Sequence, residues 1–88
     1  ILNCTGLGSK AIFEDEELEP VKGQLTILKP QPEVDYIVID YGLYMIPRRD
    51  GVLLGGTFEH GEWSLEPNAD ATKRIWDGHR ALFGRMVR

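Results

Sequence analysis

The sequence predicts a small α+β unit, with a mostly antiparallel sheet and one C-terminal helix. Three observations predict it. Short β-like segments succeed one another through the middle of the chain, Asp50-Gly51 lies between two of them, and apolar residues near the C-terminus recur with helical spacing. The chain therefore divides into a strand end and connection over residues 1–23, the sheet over 24–62, and a loop with an amphipathic helix over 63–88.

The N-terminal segment is predicted to be the end of a buried strand. Ile1-Leu2 is apolar and runs into Asn3-Cys4-Thr5-Gly6, where the glycine favours a turn. Cys4 at a strand end is more typical of a small buried apolar residue than of a nucleophile, which needs a positioned base. A short helix over residues 10–13 follows. Since the chain opens inside a predicted strand and without Met, we expect it to be part of a longer protein.

The middle of the chain predicts the sheet. Its segments combine apolar and β-branched residues between turn signals: residues 24–29, 36–39, 43–47, 52–54 and 57–60. The continuous apolar run over 36–39 is typical of a strand buried on both faces. The Arg48–Gly51 turn predicts antiparallel pairing of its two flanking segments. Gly55-Gly56 predicts a bulge, or a point where other backbone or a ligand approaches closely.

The last segment predicts a helix that starts after Asn68 or Asp70, since either side chain can cap it. Its apolar face would consist of Ile75, Trp76, His79, Leu82 and Phe83. Gly84 is placed just beyond the helix end, and Gly78 would allow close packing on the sheet. The basic residues of the tail, which include Arg88, suit the C-terminal end of the helix dipole.

Composition excludes several function classes. The 88 residues carry 10 Lys+Arg against 14 Asp+Glu, a net charge of −4, which argues against nucleic acid as a partner. Five of the fourteen acids cluster in residues 14–19, where we expect a solvated loop. No apolar run reaches about 18 residues and no leader is visible, so we expect no membrane partner and a cytoplasmic location. The lone Cys and two His residues lack metal-ligand spacing, so no metal site is predicted.

Tyr44 is the strongest candidate for binding. Strand alternation places Tyr44 and Ile46 on one face of the sheet and Met45 on the other. The residues alone leave two interpretations open: a core tyrosine with its hydroxyl at a sheet edge, or a phenol presented to a ligand carboxylate. The same two interpretations are open for Tyr41 and Tyr36, which are weaker candidates. His79 is expected to be a satisfied core or boundary residue.

Four blocks of sequence occur in a fixed order: residues 3–8, 20–24 and 44–48, and then 54–57 with 61–63. The blocks begin Asn-Cys-Thr-Gly, Pro-Val-Lys-Gly-Gln, Tyr-Met-Ile-Pro and Leu-Gly-Gly-Thr. Together they resemble the middle of FAD-dependent D-amino-acid oxidases, above all bacterial ones. The resemblance covers nearly the whole chain. It implies that residues 1–23 end a strand of the FAD-binding domain and that 24–62 form the substrate-domain sheet over the flavin.

The resemblance also implies roles for single residues. Cys4, Thr5 and Gly6 would bind FAD, and Thr5 would lie against the cofactor. Tyr44 would bind the carboxylate of a D-amino acid, with Tyr41 as a second contact. The flavin would take a hydride from the substrate α-carbon and be reoxidised by oxygen, so no catalytic side chain is expected in this chain. Phe58 follows Gly-Gly-Thr where D-aspartate oxidases tend to have Arg, which favours neutral side chains.

Some parts of the family pattern are absent from these residues. The dinucleotide fingerprint Gly-x-Gly-x-x-Gly and the C-terminal Gly-x-Arg-Pro segment do not occur. We therefore expect the 88 residues to be inactive alone, while the parent protein can form oligomers. Two alternatives stay open: a non-catalytic α+β ligand-binding or interaction domain, and an amine oxidase resembling glycine or sarcosine oxidase.

Overall fold

The computed structural model describes residues 1–86; residues 87 and 88, including Arg88 of the predicted basic tail, lie outside the described residues. The chain folds into two antiparallel sheets and one long helix, so the predicted α+β class is confirmed. The strands are β1 (Val21–Lys22), β2 (Thr26–Leu28), β3 (Val38–Asp40), β4 (Leu43–Arg48), β5 (Gly51–Gly55) and β6 (Glu59–His60). The helices are a 3₁₀ turn (Gly6–Gly8), α1 (Ser9–Ile12) and α2 (Ala69–Gly84).

The main sheet has four strands in the order β2-β5-β4-β3. Its centre is the β4–β5 hairpin, whose register runs from Tyr44 opposite Gly55 to Arg48 opposite Gly51. The Arg48 guanidinium donates to both oxygens of Asp50, at 2.9 and 2.7 Å, and so closes the turn. The hairpin predicted from Asp50-Gly51 is therefore confirmed.

Strand β3 pairs with β4 through a second hairpin, which the sequence analysis did not predict. Tyr41 and Gly42 form its two-residue loop, between the paired residues Asp40 and Leu43. Both loop residues have positive φ, +44° and +82°. Two positive φ values characterise the tight turn that best matches the twist of antiparallel strands. This turn costs Tyr41 some backbone strain, because a residue with a Cβ rarely adopts this conformation.

Helix α2 covers one face of the main sheet. The core between the two consists of Met45, Val52, Leu54 and Ile75. Asn68, rather than Asp70, caps the helix: its side-chain oxygen accepts a hydrogen bond from Ala71 N at 3.1 Å.

The packing and the C-terminal end of α2 can be compared with three predictions about this helix. A Cβ at Gly78 would lie 2.9 Å from Leu43 Cδ1, so close packing at this glycine is confirmed. Trp76, predicted on the apolar face, is instead 43% exposed. It follows Ile75 directly, which turns it about 100° away from the buried stripe. Gly84, which the sequence places just beyond the helix end, is instead the last residue of the helix, and Arg85 is the C-cap.

Two predictions about buried strands are wrong. Ile1-Leu2 belongs to no strand and is exposed, and Cys4 is exposed as well, because no strand of the described chain pairs with this segment. The run 36–39 is not buried on both faces: only Val38–Asp40 is a strand, at the sheet edge, and Ile39 is 79% exposed. The reason is that α2 covers a single face of the sheet.

Candidate functional site

Tyr44 lies on the sheet face that helix α2 leaves uncovered. Cross-strand partners point to the same face, and those of Tyr44 are Ile39 on β3 and Gly55 on β5. The predicted alternation is confirmed, since Met45 is buried beneath the helix. The side chains nearest Tyr44 on the open face are apolar: Ile27 (64% exposed) and Ile39 (79% exposed), with Ile46 and Leu53 half-buried. Arg48 lies on the same face at the far end of β4, where it pairs with Asp50.

The ring of Tyr44 is held over the backbone of β5. A Cβ at Gly55 would overlap the Tyr44 ring and its hydroxyl oxygen. Beyond it, Gly56 has φ +136°, and a Cβ there would overlap the carbonyl oxygen of Gly42. The close approach predicted at Gly55-Gly56 is therefore confirmed, and it comes from this chain's own Tyr44 and Gly42.

The hydroxyl of Tyr44 has no hydrogen-bond partner among the described residues. Outside the strand ladder, their hydrogen bond with this residue is made by its carbonyl oxygen, which lies 3.1 Å from His79 Nε2. The residue as a whole is half-buried, and its ring packs over Gly55. An anchored ring with a free hydroxyl suits a hydrogen bond to an anionic group such as a carboxylate.

Tyr41 lies at the tip of the β3–β4 turn, next to the start of β4. Its side chain is fully exposed and its backbone is strained at φ +44°. The turn thus places both candidate tyrosines at the same end of β4. Strained residues cluster at functional sites, so the strained turn supports Tyr41 as a candidate.

The predicted cofactor residues lie elsewhere. The Thr5 hydroxyl is 2.6 Å from Asn3 Oδ1 and 2.5 Å from Ser9 Oγ, within the N-terminal segment. The 3₁₀ turn and α1 contact each other but none of the other helices or strands. Among the described residues, Cys4, Thr5 and Gly6 are therefore not brought together with Tyr44.

The N-terminal turn has an open shape. Cys4, Thr5 and Gly6 are all exposed. Gly6 has φ +54°, and no atom lies within 4 Å of the position a Cβ would take there. Thr5 N and the Thr5 hydroxyl both donate to Asn3 Oδ1 in this structure. The shape of the turn fits one wall of a site for FAD, and residues outside this chain would have to form the rest.

His79 contacts the backbone of Tyr44, which the sequence did not reveal. It is 3% exposed, so the prediction of a satisfied core histidine is confirmed. Its Nδ1 lies 2.8 Å from the Ile75 carbonyl oxygen and its Nε2 lies 3.1 Å from the Tyr44 carbonyl oxygen. Helical spacing identified His79 as inward-facing, but only the fold could show which strand it meets. His60, at the end of β6, is exposed.

Two of the sequence blocks meet in a polar network beside the sheet. Gln24 N donates to Thr57 Oγ1 at 2.6 Å, and Gln24 Nε2 donates to Thr72 Oγ1 at 2.6 Å. Asn68 N donates to Gln24 Oε1 at 2.7 Å. Gln24 and Thr57 thus connect the strand entering the sheet, the segment leaving it and the start of α2, which is a structural role.

Two further kinds of feature are absent from the described residues. They contain no group of three or more His, Cys, Asp or Glu side chains placed to hold a metal ion. None of their helices combines the length and the apolar character that crossing a membrane requires.

Comparison with known proteins identifies relatives along the whole chain. A family model described as DAO, FAD dependent oxidoreductase, matches residues 1–88. A D-amino acid oxidase of Dugesia ryukyuensis is 35% identical over 87 residues, 98% of this chain and 26% of the relative. A D-aspartate oxidase of Homo sapiens is 38% identical over 77 residues, 85% of this chain and 22% of the relative.

A glycine oxidase of Pseudomonas putida is 42% identical over 60 residues, 66% of this chain and 16% of the relative. The chain thus spans at most about a quarter of the length of these curated relatives. The family match covers every residue of the chain, and the predicted resemblance is confirmed. The chain belongs to the DAO family of FAD-dependent oxidoreductases.

Proposed function

We propose that the full-length protein containing this chain oxidises D-amino acids, with FAD as its cofactor, and that this chain supplies part of the substrate-binding domain. One observation carries the proposal. Tyr44 has its ring fixed over Gly55 on the uncovered face of the sheet, while its hydroxyl has no partner among the described residues. In this proposal the hydroxyl donates a hydrogen bond to the substrate carboxylate.

The surroundings of Tyr44 favour a substrate with a neutral side chain. Ile46 and Leu53 are half-buried on the same face, and they form a cross-strand pair next to the Tyr44–Gly55 pair. An apolar surface contacts an apolar side chain favourably and leaves a charged one without a partner. Phe58, where a charged residue would suit an acidic substrate, agrees with this. Tyr41 is proposed as a second substrate contact, from the turn at the end of β4.

The cofactor contact is proposed for Cys4, Thr5 and Gly6. Bound FAD would supply the redox chemistry, taking two electrons from the substrate as a hydride; oxygen would finally receive these electrons, with protons, as hydrogen peroxide. This chain's contribution is to orient the substrate through Tyr44 and to contact the cofactor through an open turn. Since the two sets of residues are not in contact here, we propose that the 88 residues alone are inactive. The cytoplasmic location and oligomer formation stay predictions from the sequence.

The test is an activity and spectral assay of the purified full-length protein. We expect a yellow protein with bound flavin that releases peroxide with D-alanine or D-phenylalanine and not with their L-isomers. We expect D-aspartate to be a poor substrate. A colourless protein that releases no peroxide would refute the proposal and favour a non-catalytic ligand-binding or interaction domain. FAD titrated into the 88-residue chain should show no stoichiometric binding.

A second candidate is an amine oxidase acting on glycine or N-methylglycine. It is favoured by the glycine oxidase relative, whose 42% identity over 60 residues exceeds that of the D-aspartate oxidase relative over its matched region. The same peroxide assay separates the candidates. Faster turnover of glycine or sarcosine than of D-alanine would select this alternative.

A further inference from the structure

We infer that His79 is a positioning residue for Tyr44, and that its Nε2 donates a hydrogen bond to the Tyr44 carbonyl oxygen. The positioning part rests on the proposed function, in which the Tyr44 hydroxyl binds the substrate carboxylate. The hydrogen-bonding part rests on geometry alone. It is therefore tested separately below.

Both nitrogens of the His79 ring face acceptors. Nδ1 lies 2.8 Å from the carbonyl oxygen of Ile75, and Nε2 lies 3.1 Å from that of Tyr44. Carbonyl oxygens accept hydrogen bonds and donate none. The contact between His79 and Tyr44 therefore forms when Nε2 carries hydrogen and donates it to the Tyr44 carbonyl oxygen.

The surroundings of the ring leave it few other polar contacts. His79 is 3% exposed. Tyr36 and Arg80 are the titratable or charged side chains that line the same cavity of about 280 Å³, while the lining residues from β2 and β5 are apolar. A buried polar group needs hydrogen-bond partners, and the two carbonyl oxygens are the partners that the described residues offer to this ring.

The two contacts join different elements. The Ile75 carbonyl belongs to α2 and the Tyr44 carbonyl belongs to β4, so the ring links the helix to the strand at the proposed ligand residue itself. The Tyr44 side chain leaves the strand on the opposite face, towards Gly55. His79 therefore fixes the backbone from which the phenol projects, without reaching the substrate side of the sheet.

The kinetic test compares three variants of the full-length enzyme. His79→Gln can keep a donor near the Nε2 position, His79→Asn can keep one only near Nδ1, and His79→Leu keeps neither. We expect KM for a D-amino acid to rise roughly three- to tenfold in the Asn and Leu variants, the size of one lost hydrogen bond. The Gln variant should restore KM close to wild type, while kcat stays within about twofold throughout.

A control separates positioning from stability. Leu82→Ala removes a buried side chain from the same helix, away from Tyr44. It should lower the unfolding temperature and leave KM unchanged. Equal KM values in the Gln and Asn variants, or a KM rise in Leu82→Ala that matches its loss of stability, would overturn the positioning role.

The hydrogen-bonding part has its own measurement, which needs no activity. Nitrogen-15 NMR of full-length protein labelled at histidine distinguishes ring nitrogens with and without hydrogen. We expect the His79 signals to show hydrogen on Nε2. An Nε2 without hydrogen would overturn this part. If no amino acid is oxidised by the wild-type protein, the proposed function fails and with it the positioning role, while the NMR result still decides the state of the ring.

Discussion

The ring of Tyr44 fills the space above Gly55, its partner across the β4–β5 ladder, so that position 55 has no room for a side chain. The glycine thereby does two things at once. It lets the ring lie flat against the strand, and it fixes the direction in which the phenol projects. A glycine in a strand costs stability on its own, and here the packed ring offsets that cost.

Gly55→Ala should displace the Tyr44 ring. We expect the free energy of unfolding to fall by about 1–3 kcal/mol, the usual effect of overpacking, and KM for a D-amino acid to rise. The measurements are chemical unfolding and steady-state kinetics of the full-length enzyme. Gly84→Ala is the matched control, because nothing lies within 4 Å of its added Cβ. It should be neutral or stabilising by up to about 1 kcal/mol, as expected for Gly to Ala in a helix.

Tyr44→Phe removes the hydroxyl and keeps the ring. If the hydroxyl binds the substrate carboxylate, KM should rise roughly ten- to hundredfold, the range for a hydrogen bond to a charged group. Stability should change little, because the hydroxyl has no hydrogen-bond partner in the described chain. Unchanged kinetics with a lower unfolding temperature would show instead that Tyr44 is a core residue.

Tyr41→Asn tests why a tyrosine occupies a strained turn. Asparagine adopts positive φ more readily than tyrosine, so the variant should gain up to about 1 kcal/mol of stability. If Tyr41 contacts substrate, KM should rise in the same variant. Tyr36→Asn serves as a control, since Tyr36 is a half-exposed tyrosine without positive φ and lies on the helix side of the sheet. A gain in stability with unchanged KM would remove Tyr41 from the substrate site.

Thr57→Val tests the network that joins two of the family blocks. Thr57 is 6% exposed, and its hydroxyl accepts the hydrogen bond from Gln24 N. Valine has nearly the same shape but leaves that amide unpaired, which should cost about 1–3 kcal/mol. Thr57→Ser keeps the hydroxyl and should cost less. Equal losses in the two variants, measured by chemical unfolding, would mean that the methyl group matters and the hydrogen bond does not.

Local sequence signals predicted the hairpin and the helix well. Asp50-Gly51 located the β4–β5 turn, and the spacing of Ile75, His79 and Leu82 located the buried stripe of α2. These signals succeed because a turn and a helix face are decided by neighbours in sequence. The sequence allows either Asn68 or Asp70 as the helix cap. The structure shows that Asn68 is the cap, since its Oδ1 accepts a hydrogen bond from Ala71 N.

Burial was harder to predict, because it depends on what covers a residue. The run 36–39 looks like a strand buried on both faces, yet Ile39 is exposed since α2 covers only the other face. The sequence predicts a buried Cys4, because cysteine behaves as a small apolar residue. Cys4 is instead exposed, in a segment that packs on no strand of the described chain. The link between His79 and Tyr44 spans 35 positions, beyond the reach of any local pattern.

The alternation along β4 and β5 separates two sets of positions that can be varied for different purposes. Met45, Val52 and Leu54 support the helix, whereas Ile46 and Leu53 lie on the uncovered face. A library that randomises only residues 46 and 53 would therefore change the surface beside Tyr44 while leaving the core composition constant. Directed evolution of new specificities can begin from these two positions at little risk to folding.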